Sequence, residues 1–101
     1  MAGRKVTVVA RLTAKKGKEK ESEKALLALV APTRREAGCL NYDLHRGFDD
    51  RCRFLIHENW EKGEDLDRHL GQAHVRKFLA LAQKLLDSEP EITFWEEFSP
   101  K

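Results

Sequence analysis

Long apolar runs are missing from this chain of 101 residues. No stretch approaches the ~18 consecutive apolar residues that a membrane-crossing helix needs, so a membrane partner is not expected. Met1-Ala2-Gly3-Arg4-Lys5-Val6 leads straight into a β pattern rather than into the apolar core of a signal peptide, and the expected location is the cytoplasm. Cysteine is scarce too: Cys39 and Cys52 are the two present. On the hairpin described below they are offset by about seven residues, roughly 23 Å, far beyond the ~7 Å Cα limit for a disulfide. Free thiols suit a reducing compartment, and without CxxC or Cys/His ligand spacing no metal is expected. An excess of one charge is also lacking, since 19 Lys and Arg face 17 Asp and Glu. Residues 1–20 hold seven basic groups and one acidic group, a basic edge best read as a solvated strand and loop. Linkers, repeats and low-complexity segments are absent, so residues 1–101 form one expected domain. A lone domain of this size buries less than ~70% of the surface its unfolded chain exposes, and self-association would help it.

What is present is a set of periodic segments. Val6 to Leu12 is β-branched and reads as a first strand. From Lys18 to Ala37, Ala25, Leu26, Leu29, Val30 and Ala37 keep helical spacing, with Gly38 as the closing residue. Pro32 falls inside this helix, where it removes the bond to the Ala28 carbonyl and costs about 3 kcal/mol, so a kink or break is expected there. Cys39 to His45 is a second strand with Leu40, Tyr42 and Leu44 on one face, Gly47 to Arg51 a turn, and Arg53 to Trp60 a third strand paired antiparallel. A short helix over Glu64–Leu70 and a longer one over Ala73–Leu86 follow, the latter with Phe78, Leu79, Ala82, Leu85 and Leu86 as its stripe. Ile92 to Phe98 is the last strand, apolar on both faces. The order β-α-β-β-α-β specifies an α+β, ferredoxin-like fold: an antiparallel sheet with its helical segments on one face. Thr7, Val9, Leu55, His57 and Asn59 then alternate onto the other face, and such a half-apolar face usually meets a partner.

The densest information lies in Phe54-Leu55-Ile56-His57-Glu58-Asn59-Trp60-Glu61 and in His69 to Phe78. Glu58 and Trp60 are two apart on a strand, so both project from one face. A carboxylate facing a core needs a partner, and so does the indole N–H, which makes the pair one wall of a pocket; alternatively Glu58 simply reaches water at the strand end. Tyr42 projects toward the same cavity, whereas Asn59 points the other way if the strand is regular. His74 shares a helical face with Phe78, Leu81 and Leu85, which points it inward. Beside Glu58 its imidazole could titrate near neutrality and act as a base, or a Glu58–His74 bond could simply anchor the helix to the sheet. On a continuous helix His69 and His74 would lie about 140° apart and could not share a metal. Arg46-Gly47-Phe48 opens like an RNA-recognition consensus, but Asp49-Asp50 breaks it and no nucleic acid is expected.

These residues together carry a resemblance. Arg11-Leu12 with Lys16-Gly17-Lys18, then Leu29 to Arg34 running on to Glu36-Ala37-Gly38-Cys39 and Tyr42, then Glu58-Asn59-Trp60 and His69 to His74 to Phe78, resemble the antibiotic biosynthesis monooxygenase (ABM) family from about residue 6 to 98. The resemblance accounts for Pro32, which stands at the same place in the family's helix. It implies a homodimer forming a dimeric α/β barrel, two ferredoxin-like sheets face to face with the last strand reaching to the partner. It also implies a quinol monooxygenase-like activity on a small quinol or polycyclic phenol, with molecular oxygen and without metal, flavin or haem. An electron-rich phenolate can pass an electron to triplet oxygen, so the protein supplies a dry pocket, a base and anion-holding donors. On this reading His74 and Glu58 are the catalytic candidates, and Trp60, Tyr42, Phe78, Asn59 and His69 the pocket candidates. A haem-degrading branch of the fold uses an Asn on strand one; Ala10 stands there here, against haem oxygenation. The competing class is a non-catalytic dimeric module that holds a small hydrophobic ligand, since one fold hosts both.

Overall fold

Four strands and three helices follow one another along the chain in the computed structural model, which describes residues 1–100: β1 (Val6–Thr13), α1 (Glu19–Arg34), β2 (Cys39–Arg46), β3 (Arg53–Trp60), α2 (Gly63–Leu70), α3 (Ala73–Leu85) and β4 (Glu91–Trp95). The strands make one antiparallel sheet in the order β2-β3-β1-β4, which is the expected α+β, ferredoxin-like topology with the second helix in two pieces. No helix among the described residues is long and apolar enough to cross a membrane.

Period-two alternation decides which strand residues meet the helices. Val6, Val8, Ala10 and Leu12 of β1 and Phe54, Ile56, Glu58 and Trp60 of β3 are all buried. They are paired in register, Val6 opposite Trp60 and Val8 opposite Glu58. Ser22, Leu26, Leu29 and Thr33 of α1 and Val75, Phe78, Ala82 and Leu85 of α3 are buried at helical spacing. The buried apolar side chains fall into a larger cluster that includes Leu26, Tyr42, Ile56 and Phe78, and a smaller one of Val6, Val8, Trp60 and Leu66. Cys39 packs against both clusters, and both cysteines are free thiols.

Several local expectations need correction. Pro32 does not break α1, which runs two residues beyond it without a proline N–H to donate to the Ala28 carbonyl. Leu40 does not share the face of Tyr42: a bulge between Cys39 and Asn41 sets Cys39 opposite Trp60 and Asn41 opposite Asn59, and Leu40 is exposed. Leu79 and Leu81 are exposed on α3 rather than part of its buried stripe. The last strand ends at Trp95 and leaves Phe98 exposed, because β4 pairs along Thr7–Arg11 of β1 and has no register beyond it.

Gly38 has a backbone reason to be glycine. Its φ is +85°, and a Cβ there would run into the Asp65 side chain on α2. The tight turn lets the Gly38 carbonyl accept from the Glu61 N–H at 2.8 Å, which ties the segment after α1 to the end of β3.

Candidate active site

Trp60 is fully buried at the end of β3, and its indole Nε1–H donates to Glu58 Oε1 at 2.8 Å. The two side chains that share a strand face therefore pair with each other, and the carboxylate is buried rather than standing in water at the strand end: Glu58 is 5% exposed. Burial raises its carboxyl from an ordinary 4.5 to about 7, against the pull of the Trp60 donor and with help from the Glu36 charge. Tyr42 stands opposite Glu58 across the β2–β3 ladder and is buried as well. Its phenol is held far above the usual range, first by burial and then by the Glu58 charge.

Both histidines of interest turn to Glu36, a residue quoted in the family resemblance but not among the expected site residues. Glu36 Oε2 lies 2.7 Å from His69 Nδ1 and 2.9 Å from His74 Nε2. The expected His74 partner, Glu58, is thus replaced by a carboxylate from the turn after α1. A signal was there: a Glu two residues before the glycine that reverses the chain beside the sheet edge. The two separate helices expected from the sequence are both present, so the 140° offset, which holds only on a continuous helix, does not apply to His69 and His74. α2 ends at Leu70 and α3 starts at Ala73, so the break at Gly71-Gln72 lets two rings five residues apart converge on one oxygen. The expectation that they could not share a metal loses its premise.

His69 is the hub of the cluster. Its ring lies 4.7 Å from the Trp60 ring, 5.9 Å edge-on from Tyr42 and 6.0 Å from His74, between centroids. Burial lowers its affinity for a second proton, and hydrogen bonding to Glu36 partly restores it. In the tautomers that let the Glu36 carboxylate accept from Nδ1–H of His69 and Nε2–H of His74, the ring lone pairs sit on the far nitrogens. Such an arrangement of two imidazoles and a carboxylate beside an indole and a phenol can accept a proton from an acidic group that reaches it.

The remaining candidates are not all in this cluster. Phe78, one helical turn beyond His74, packs in the larger core cluster with Tyr42. Asn59 is on the opposite face of the sheet: its Nδ2 donates to Asn41 Oδ1 at 2.8 Å, and its Oδ1 accepts from Thr7 Oγ1 at 2.6 Å. It therefore cannot line a pocket with Trp60, and the strand's alternation is the reason.

Comparison with known proteins agrees with this fold and these motifs. The family model described as antibiotic biosynthesis monooxygenase matches residues 5–81. The chain is 30% identical over 88 residues to Rv0793 of Mycobacterium tuberculosis, provisionally named a monooxygenase, covering 87% of this chain and 86% of that protein. The structure of Rv0793 superposes with a TM-score of 0.89 at 27% identity, covering 95% of this chain and 97% of that one. PA3566 from Pseudomonas aeruginosa superposes with a TM-score of 0.90 at 34% identity, covering 98% and 99% of the two chains. A ferredoxin-like sheet and a family match that runs from β1 into α3 lead to one assignment: the chain belongs to the antibiotic biosynthesis monooxygenase family.

Proposed function

We propose that this monooxygenase-family protein oxidises a small quinol or polycyclic phenol with molecular oxygen, the substrate itself supplying the electrons. The observation that carries the reading is the pair of imidazoles anchored on one Glu36 oxygen beside buried Trp60 and Tyr42. His74, the more exposed of the two histidines, is the proposed base, using the nitrogen that does not face Glu36. Glu36 orients the ring and stabilises the imidazolium formed when the phenolic proton is taken up. The resulting phenolate is electron-rich enough to pass one electron to oxygen, and the reading needs no flavin or haem. Glu58 keeps the Trp60 indole in place and leaves its wall of the site with a satisfied N–H.

The proposed working form is a homodimer in a reducing compartment, the cytoplasm. β4 is an edge strand with Ile92, Phe94 and Trp95 between 43% and 56% exposed, an apolar edge that a second copy would cover. A groove of about 670 Å³ between α3 and β4, with Leu79 and Ile92 in its lining, extends the same area. Light scattering at micromolar concentration is expected to give twice the 11.7 kDa chain mass; a single chain mass would remove the dimer.

Oxygen uptake with a menadiol-like quinol tests the reaction. Uptake above the autoxidation control, reduced about 10²- to 10⁴-fold in His74→Ala, is expected for a lost general base. Full uptake in His74→Ala would make the Glu36–His74 bond a structural tie between α3 and the turn after α1. Quinol binding without uptake in the wild type would favour the ligand-holding module.

A further inference from the structure

We propose that Glu36, His69 and His74 also form a binding site for one divalent transition-metal ion of the Zn²⁺ or Co²⁺ type. One ligand atom from each, an imidazole nitrogen of His69 and of His74 and a Glu36 carboxylate oxygen, lies within 4.8 Å of the other two. Two of the three separations are already short, at 2.7 and 2.9 Å. A tetrahedral ion bonded at about 2.0–2.1 Å holds its ligand atoms about 3.3 Å apart. The two carboxylate–imidazole separations must therefore widen by about half an ångström, and the imidazole–imidazole separation, within 4.8 Å, must settle at the same value by side-chain adjustment of Glu36 and of the more exposed His74. Two imidazoles and one carboxylate are the donors that zinc and cobalt accept, whereas magnesium and calcium prefer oxygen alone.

The three ligands come from three backbone segments whose places are set by unrelated contacts. Glu36 is held in the turn that Gly38 closes, its own N–H donating to the Thr33 carbonyl at 2.9 Å. His69 is on the last turn of α2, locked between the Trp60 and Tyr42 rings. His74 begins α3, and its side chain, 21% exposed against 5% for His69 and 12% for Glu36, leaves the cluster open on one side. Three protein ligands with an open side are what an ion needs to keep a water or a small ligand.

Metal binding here conserves protons on the neutral rings. The ion takes the nitrogen lone pair facing Glu36 in each ring, and each ring then carries its proton on the far nitrogen. That nitrogen is the one a substrate proton would otherwise reach, so metal occupancy and base action exclude each other.

Calorimetric titration of the full chain with ZnCl₂, together with the visible ligand-field absorption of added Co²⁺, tests the site without reference to turnover. One ion per chain is expected, with tetrahedral Co²⁺ bands. Glu36→Gln and His74→Ala should each weaken binding by more than about a hundredfold, beyond the loss of an outer-sphere partner. The chain has four histidines, so the double variant His45→Ala/His57→Ala serves as the control and should bind like the wild type. Zn²⁺ should also raise the melting temperature of the wild type and of the control, but not of His74→Ala, because an ion that binds the folded form stabilises it by mass action. Loss of binding in the control with retention in His74→Ala would place the ion on the open sheet face and overturn the proposal. Absence of stoichiometric binding to folded wild-type protein would overturn it as well.

Discussion

Residues His57 to Trp60 put four hydrogen-bonding side chains in a row on β3, and the two faces of the sheet treat them differently. Glu58 and Trp60 go under the helices, where they are 5% and 0% exposed and pair with each other. His57 and Asn59 go to the uncovered face and join a polar ladder across the strands. There Asn41 Nδ2 donates to the His57 carbonyl at 3.1 Å and to Asp43 Oδ2 at 3.0 Å, and Arg34 reaches Asp43 Oδ1 at 3.1 Å. Burial on the covered face moves the proton affinities of Glu58, Tyr42 and His69 and makes the Trp60 indole and the two histidines depend on specific carboxylates. The uncovered face has more polar contacts, but half-buried ones that water can replace. Hydrogen-bond number is therefore a poor guide to where chemistry can happen; dependence on a dry neighbour is the better one.

The largest expected contrast comes from truncating each face. Trp60→Ala empties a fully buried ring position and should cost about 3–5 kcal/mol in urea-induced unfolding. It also strands the Glu58 carboxylate without its donor. A loss below about 1 kcal/mol would mean that the covered face is much looser than its burial implies.

Glu58→Gln gives the next effect, and its sign follows from linkage. The folded protein holds this carboxyl at about 7 against an ordinary 4.5, so the protonated form favours folding. That contribution is fully present below about pH 4.5 and is lost as the pH rises through about 7, amounting to roughly 3 kcal/mol. Stability curves of wild type and Glu58→Gln should diverge across this window, with the wild type falling relative to the variant, whose amide oxygen still accepts from Trp60. Parallel curves would show that Glu58 is as well solvated as an exposed carboxylate, and the contrast between the faces would weaken.

Asn59→Ala should give the smallest effect in the isolated chain, about 1 kcal/mol, because Thr7 and Asn41 can turn to water. If the open face lies in a dimer, the cost should grow with protein concentration, since the stranded partners would then be buried. A concentration-independent loss would leave the ladder a surface feature.

Much of the scaffold was legible before any coordinates. β-branched alternation marked β1 and β3, helical spacing marked α1 and α3, and the pairing of Glu58 with Trp60 on one face followed from their separation by two. The site was only half legible. Tyr42, Trp60, His69 and His74 do meet, but Glu36 was missed. The expected helix ran on to Ala37 and gave Glu36 a helical face, whereas α1 ends at Arg34 and the position of Glu36 depends on a turn closed by a glycine at φ +85°. Leu40, Leu79 and Leu81 went astray for a related reason: one bulge or one helix rotation changes a residue's side without changing the pattern around it.

Local chemistry, then, determined which segments are strands and helices, which strand residues share a face, and that neither cysteine has a partner within reach. Those properties depend on neighbours a few residues away, and the spacing of side chains along a strand or helix states them directly. Tertiary structure alone decided that His69 and His74 meet on the far side of a helix break and that Glu36 receives them. It also decided that the Glu58 carboxylate loses its water. Each of these outcomes depends on how α1, α2, α3 and β3 pack together, and no periodicity within one segment encodes the distance to another.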